Sequence, residues 1–481
     1  MIKLLIKMKY KYLCFIIILI SFVGCGKKFL DREPSYFSNK KDAYNSIQAL
    51  QSALNGCYDG LQDYRYYGRN FYLFTETYSD NAKLSSTNLN NFSSFYSYSL
   101  TSSNAELEGF WKLGYKIISR SNNVIAAASN LKTVSYFERK QILGEAYAIR
   151  ALVYFDLVRV FAQPYAITIG VDSANGKGGH VGIPLITEPT SEDSIITPAR
   201  SSVNLVYNQV ISDFNRADTM LQLKSIEPYT FCSYAVKALL SRVYMSMGVY
   251  SEALGLSYNL IKSNQYHLIE NEDYIHSLTL PYTDETIFCI PMTSNDNNGT
   301  NSIGYMLSKS GYGDIVSTQD LYSLYSANDI RKQLFKKGKD IFIYKYPGRT
   351  DAPSIDNIPI IRISEIYLNY AEAVLRYSNS KTAQDLARGI LDTLMQRADK
   401  TAPNVKLQGN DLLNLVLEER RKEFAFEGQR FFDLKRLQSS IIRTDCNSSI
   451  CTVNFPSYLF AMPIPISETN SNKKIKQNIG Y

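Results

Sequence analysis

The densest set of ionisable side chains in this chain lies near the C-terminus, in residues 418–436, EERRKEFAFEGQRFFDLKR. Carboxylates beside other ionisable groups are the residue types that general acid–base catalysis uses. Their spacing favours a different role. Glu418 and Lys422 are four residues apart and Glu427 and Arg430 are three apart, which predicts ion pairs on a helix. A helical stripe of apolar residues accompanies them, so we predict a docking helix with a charge network: Leu413, Leu417, Phe424, Phe431 and Leu434.

Other catalytic and metal-binding patterns are weak. The three histidines, His180, His267 and His276, are widely separated and lack the spacing of a metal site. The sequence has no GxSxG nucleophile elbow and no P-loop. A calcium loop over 294–305 is rejected, because Tyr305 stands where a bidentate glutamate is needed. The sequence therefore predicts neither an enzyme nor a bound metal or cofactor.

Three polar segments carry groups suited to binding a glycan. An aromatic face suits the apolar side of a sugar ring, while amides, acids and guanidinium groups suit its hydroxyls. Residues 64–70, 80–98 and 295–312 supply this mixture. The candidate ligand-binding residues are Arg65, Tyr67, Asp80, Asn81, Asn91, Tyr96, Tyr305 and Tyr312. For each of them, a structural role in the loop or contact with a partner is the alternative.

Helical periodicity dominates the elements that must position these residues. Apolar residues recur at helical spacing in nine segments, which are predicted to be helices: 42–61, 111–131, 137–161, 202–223, 233–247, 250–263, 363–377, 382–397 and 410–437. Long polar loops are predicted at 80–104, 163–199 and 280–318. Loops of this length are typically functional or disordered.

An internal repeat indicates paired helices. Six residues match the spacing of tetratricopeptide (TPR) consensus positions: Leu240, Ser241, Tyr244, Gly248, Tyr250 and Ala253. The small residues Ser241 and Ala253 would let two helices approach closely, and Ala371 and Ala383 repeat their 12-residue separation. The helix ending at 161 is predicted to pair with 202–223 across the intervening loop. Generic antiparallel helix pairs are the alternative, and they also give an all-α core.

The N-terminus predicts export and a lipid anchor. Four lysines in residues 1–11 precede the apolar run 13–23, which is too short to span a bilayer, and then Gly24 and Cys25. This pattern resembles the lipobox of bacterial lipoproteins, which implies acylation of Cys25 and attachment to the membrane lipid. Residues 1–24 would then be the signal peptide. An ordinary signal peptide or a single-pass anchor is the alternative.

Composition excludes two further classes of protein. The formal net charge is +7, and the leader's four lysines supply four of it, which leaves +3 for the rest of the chain. A net charge this small argues against binding nucleic acid. The chain has only seven cysteines, so a disulfide-dependent scaffold is not expected. Cys446 and Cys451 bracket a short polar loop and could pair as a local staple.

The segment 418–436 closely resembles the C-terminal signature of the SusD/RagB family of nutrient-binding surface lipoproteins. Other stretches resemble family motifs in the expected order: FLDREP (29–34), Trp111 with 122–125, EAYAIRALVYFDLVRVFAQPY (145–165), PIIRISEIYLNYAEA (359–373), FAMPIPISE (460–468) and QNIGY (477–481). Together they cover nearly all of the chain after Cys25. The resemblance implies an all-α, SusD-like fold of TPR-like helix pairs with a loop-rich ligand face.

The resemblance also implies a function. The expected protein binds an oligosaccharide at the cell surface and delivers it to a SusC-like, TonB-dependent transporter in the outer membrane, without covalent chemistry. The chain is divided into the signal peptide, an N-terminal region 25–230 and a C-terminal region 231–481, which form one globular unit. The alternatives are a TPR-type scaffold that binds only protein and, less favoured, a glycan-degrading enzyme.

Overall fold

The structure, a computed structural model, describes residues 44–167, 177–190, 196–349 and 355–481. The leader, Cys25 and the 29–34 motif therefore lie outside the described residues. The described part is mainly helical, and its few strands are short. The expectation of an all-α, SusD-like class is confirmed.

The described residues form these α-helices: α1 Ile47–Gln62, α2 Asn70–Thr77, α3 Ser93–Tyr96, α4 Ala105–Asn130, α5 Tyr136–Phe161, α6 Val203–Met220, α7 Ser233–Met247, α8 Tyr250–Lys262, α9 Tyr274–Ser277, α10 Ile303–Leu307, α11 Gln319–Ser323, α12 Ile363–Tyr377, α13 Lys381–Ala398, α14 Gly409–Glu423, α15 Arg430–Arg436 and α16 Ile466–Ser471. No helix among them is both long and apolar enough to cross a bilayer.

Short strands pair in four antiparallel ladders in the described part of the chain. One ladder lies wholly inside segments predicted as loops: β1 (Ala82–Leu84) pairs with β3 (Ile315–Ser317), with Lys83 opposite Val316. The other pairs are β2 (Thr286–Ile290) with β6 (Ile358–Arg362), β4 (Phe335–Lys337) with β5 (Ile341–Ile343), and β7 (Ile441–Ile442) with β8 (Thr452–Val453). The predicted loops 80–104 and 280–318 are therefore partly ordered as strands and short helices.

The long helices pack in a row. The neighbours are α1 with α4 and α5, α4 with α5, α5 with α6, α6 with α7, α7 with α8, α8 with α12, and α12 with α13 and α14. The Ser135 side chain caps α5 in a capping box with Glu138, and Ser202 and Ser380 cap α6 and α13. The pairing of α5 with α6 across the 163–199 segment agrees with the sequence prediction. The main apolar core draws residues from both predicted regions, from Leu50 to Ile475.

Close helix contacts occur where the repeat predicted small residues. Ser241 and Ala253 are both fully buried, and the Ser241 and Ser257 hydroxyls are 2.8 Å apart across α7 and α8. Ala253 shares a buried cluster with Met245 and Ala373 of α12. The repeat register is therefore confirmed at this pair.

We expect Ala253→Phe to lower the free energy of unfolding by about 1–3 kcal/mol, because the added ring overpacks the contact between α8, α7 and α12. Urea denaturation measures the change. Ser251→Phe is the matched control, since Ser251 is exposed on the same helix. Equal stability of the two variants would show that Ala253 is not at a close contact.

One predicted helix is wrong. The segment 410–437 forms two helices, α14 and α15, because Phe426 and Gly428 adopt left-handed φ values of 63° and 71° between them. A Cβ at Gly428 would also lie 2.8 Å from the ring of Tyr72, so the backbone approaches α2 too closely for a larger residue. The buried face of α14 carries Leu412 and Val416 with charged residues, whereas the predicted Leu413 and Leu417 are half-buried.

The sequence allowed a disulfide between Cys446 and Cys451, and the structure contains it. It closes the hairpin of β7 and β8. The remaining described cysteines, Cys57, Cys232 and Cys289, are free and buried.

Candidate functional site

Two of the predicted ligand-binding tyrosines are buried. Tyr67 is 1% exposed, stacks on Tyr66 with ring centroids 4.4 Å apart, and donates its hydroxyl to Asp156 of α5. Tyr96 is 2% exposed, and the guanidinium of Arg443 lies over its ring at 4.5 Å. The expectation that these rings face a ligand is wrong, because both rings pack inside the fold.

Asp80 and Asn81 are also engaged internally. The Asp80 carboxylate accepts two hydrogen bonds from Arg430 of α15, at 2.7 and 2.8 Å. Burial alone would raise the pKa of Asp80, but Arg430 and Arg421 hold it below its usual value. Asn81 is fully buried and accepts from Arg421 Nε at 2.8 Å. These two side chains fasten the C-terminal signature to the N-terminal region, which contradicts their assignment as ligand contacts.

Asn91 and Arg65 lie nearer the surface, with partners. The Asn91 side-chain amide donates to the buried Asp314 at 2.5 Å. Arg65 is exposed and makes a two-point ion pair with Asp63, at 2.8 and 2.5 Å. Asn91 thus anchors its loop, while Arg65 stays accessible.

The first and third predicted segments do meet. Arg69 Nη1 donates to the side-chain oxygen of Asn301 at 2.8 Å, which joins residue 69 to the 299–301 turn. Tyr305 and Tyr312 form an edge-to-face pair with centroids 4.9 Å apart, and Tyr312 is 41% exposed. The guanidinium of Arg69 lies over the ring of Tyr64, 4.8 Å from its centroid. We call this surface the loop face: Tyr64, Arg65, Arg69, Asn301, Tyr305 and Tyr312.

The backbone around the loop face is tightly held. The Asn298 side-chain amide donates to the carbonyl oxygen of Gln62 at 2.9 Å. A Cβ at Gly68 would lie 2.3 Å from each of those two groups, so only glycine fits that turn. The ladder of β1 and β3 holds the two segments together further along the chain. The loop face is therefore supported by ordered structure.

A groove adjoins the loop face. Its volume is about 470 Å³, within the range of roughly 300–1,000 Å³ typical of ligand sites. Tyrosines, amides and acids line it: Asn55, Tyr58, Asp59, Gln62, Tyr229 and Asp296. Gln62 Nε2 donates to the carbonyl oxygen of Pro291 at 2.9 Å, and the same residue binds Asn298 beside the loop face. Gln62 therefore links the lining of the groove to the Asn298 turn beside the loop face.

The charged signature forms a buried cluster rather than a catalytic site. Glu423 accepts hydrogen bonds from Arg362, Arg397 and Arg331 at 2.6, 2.7 and 2.9 Å. Burial alone would raise the pKa of Glu423, but these three guanidinium groups hold it well below its usual value. Glu427 pairs with Arg362 at 2.8 Å and with Lys345. The predicted docking role agrees with this geometry.

The partners within that signature differ from the predicted ones. Glu418 is exposed, whereas Lys422 pairs with Glu419 at 2.5 Å and Asp329 at 3.6 Å. Arg430 pairs with Asp80, far away in sequence, instead of Glu427. In the described part of the chain, no three His, Cys, Asp or Glu side chains form a group that could hold a metal ion.

The segment that contains Arg69 is predicted to bind a glycan, but Arg69 is not among the candidate residues. In YRYYGRN (64–70), composition alone cannot tell which rings turn inward. Asp156 on α5 decides it, because this carboxylate accepts the hydroxyls of both Tyr66 and Tyr67. Tyr64 and Asn301 were likewise part of flagged segments, and only the fold brings them to one surface.

Comparison with known proteins identifies relatives over most of the chain. A family model described as starch-binding and associating with the outer membrane matches residues 28–245, and the SusD family model matches 334–481. The SusD-like protein P2 of Formosa agariphila is 23% identical over 98% of this chain and 100% of its own length. The starch-binding protein SusD of Bacteroides thetaiotaomicron is 30% identical over 30% of this chain and 24% of its own length.

A solved structure has the same fold. The crystal structure of a SusD superfamily protein from Bacteroides thetaiotaomicron superposes with a TM-score of 0.81 and 28% identity. The match covers 90% of this chain and 99% of that one.

Proposed function

This chain belongs to the SusD/RagB family, and on that basis we propose that it binds a carbohydrate in association with the outer membrane. The ligand would be an oligosaccharide held at the loop face and the adjoining groove. The observation that carries the proposal is the meeting of the 64–69 and 299–312 segments, which sets Tyr305 and Tyr312 beside amide and guanidinium groups. This is the mixture that a sugar requires.

The mode of action would be capture and release. Each carboxylate of the buried cluster is occupied by guanidinium or ammonium groups, which supports a role without covalent chemistry. By family resemblance, the bound oligosaccharide passes to a SusC-like, TonB-dependent transporter. Acylation of Cys25 would hold the protein at the outer membrane, facing the cell exterior.

We expect Tyr312→Ala to weaken oligosaccharide binding by about 0.5–1.5 kcal/mol, the scale of one aromatic contact. Titration calorimetry with an oligosaccharide selected on a glycan array measures the change. Tyr377→Ala is the matched control, because Tyr377 is 65% exposed at the end of α12 and lies outside the loop face. Melting temperatures of both variants should stay close to that of the wild type, since exposed substitutions usually stay within about ±0.5 kcal/mol.

Two results would count against the proposal. Unchanged affinity in Tyr312→Ala would place the ligand elsewhere on the molecule. A full glycan array with no binding would favour the protein-binding scaffold. A glycan that binds only the native state must raise the melting temperature, so the absence of any such shift would point the same way. Tyr67 and Tyr96 are unsuitable for this test, since both are buried and their removal would damage the core.

A further inference from the structure

Arg69 is a buried cation that forms no ion pair with a carboxylate of the described residues. It is 9% exposed. Its Nε donates to the side-chain oxygen of Asn70 at 2.9 Å and its Nη1 to that of Asn301 at 2.8 Å, and both acceptors are neutral amides. By contrast, the buried Arg331, Arg362 and Arg420 all contact carboxylates.

The carboxylates of Glu106 and Asp63 act on the charge of Arg69, but neither lies within ion-pair distance of it. The nearby carboxylate of Asp63 is occupied by both ends of Arg65. The rings of Tyr64 and Phe92 lie 4.8 and 5.7 Å from the Arg69 guanidinium, which stabilises the cation through the ring faces. Burial lowers the pKa of Arg69, which reflects the cost of removing its charge from water. An arginine stays charged nonetheless, so this cost persists in the free protein.

One nitrogen of the Arg69 guanidinium, Nη2, makes no hydrogen bond with the described residues. This nitrogen is not fully enclosed by the protein. Its two N–H groups are therefore available to a ligand. The 299–301 turn that Arg69 contacts through Asn301 leads to Tyr305, whose ring packs against Tyr312, the most exposed ring of the loop face. A sugar stacked on Tyr312 would therefore lie on the same surface as Arg69.

We propose that Arg69 is a specificity-determining residue that binds an anionic group of the ligand, so that the carbohydrate is an acidic glycan. The inference rests on the proposed function and names the substrate class of that site. A carboxylate or sulfate ester would supply the missing counter-charge, and a charge-assisted hydrogen bond is stronger than a neutral one. Removing one ligand anion or the guanidinium would then cost about tenfold or more in affinity.

The test is a glycan array of matched pairs probed with the purified full chain. Oligogalacturonates are paired with their methyl esters, and sulfated galactan oligosaccharides with their desulfated forms. We expect preferential retention of the acidic members, and the pair that responds identifies carboxylate or sulfate as the anion. In Arg69→Gln the acidic preference should fall about tenfold. Arg69→Lys should restore part of it, because the charge is kept without the guanidinium geometry.

Arg216→Gln is the matched control, since Arg216 is an exposed arginine on α6, outside the loop face. It should keep the preference for acidic members. Thermal melting checks that Arg69→Gln remains folded, and Arg69→Lys gives a second variant that keeps the charge.

Each outcome decides the question. Equal retention of acidic and neutral members, or an acidic preference that survives in Arg69→Gln, overturns the role of Arg69 and leaves carbohydrate binding intact. Loss of the acidic preference in Arg216→Gln as well would assign that preference to the general positive charge of the protein and also overturn the role. If no glycan is retained, the proposed function fails and this inference fails with it.

Discussion

Replacing Glu423 by glutamine should lower the free energy of unfolding by about 3–5 kcal/mol, the usual cost of removing one partner from a buried ion pair. Glu423 is 1% exposed and accepts hydrogen bonds from Arg331, Arg362 and Arg397. Without its charge, three buried guanidinium groups lose a shared counter-ion. Urea denaturation of the wild type and the variant measures the difference.

Glu418→Gln is the matched control for this prediction. Glu418 lies on the same helix α14, is exposed, and belongs to no ion pair of the described residues. Its replacement should change stability by no more than about 0.5 kcal/mol. Equal stability of the two variants would mean that the buried cluster contributes little to the fold.

Stability should also fall at acid pH, and less steeply in Glu423→Gln. Burial opposes ionisation of Glu423, Glu427, Glu365 and Asp433, yet their arginine and lysine partners hold each pKa below its usual value. The unfolded chain then takes up protons first as pH falls below about 4. The stabilisation is present above that pH and is lost as pH falls through the lower pKa values of the folded state.

Replacing Cys25 by alanine should abolish fatty-acid labelling and release the protein from the membrane. The prediction rests on the basic leader, the short apolar run and Gly24-Cys25, all outside the described residues. Several acyl chains give stable anchoring because each buried CH₂ contributes about 0.8 kcal/mol. Radioactive palmitate labelling and membrane fractionation measure the two effects.

Cys14→Ala is the control for the anchor. Cys14 lies inside the apolar run, where a lipidation site is not expected, so this variant should keep its label and its membrane attachment. Undiminished labelling of Cys25→Ala would contradict the lipoprotein assignment and, with it, the proposed placement at the cell surface.

The sequence by itself determined the helical framework. Helix bounds follow from local periodicity, so the predictions at 233–247 and 363–377 match α7 and α12 to the residue. The small residues Ser241 and Ala253 indicated a close contact because volume at a helix interface is a local property. The family motifs likewise depend only on the order of residues, which is why the family could be assigned before the fold.

Only the tertiary structure decided which polar residues face outward. Asp80 belongs to the core because Arg430, 350 residues later, reaches it. Tyr67 turns inward because its hydroxyl binds Asp156 on α5, while Arg69, two residues on, forms no ion pair with the described carboxylates. Such pairings join residues far apart in sequence, and neither composition nor periodicity specifies them. The loop face, and the lack of a carboxylate partner for Arg69 in the described part of the chain, are therefore properties of the packed molecule.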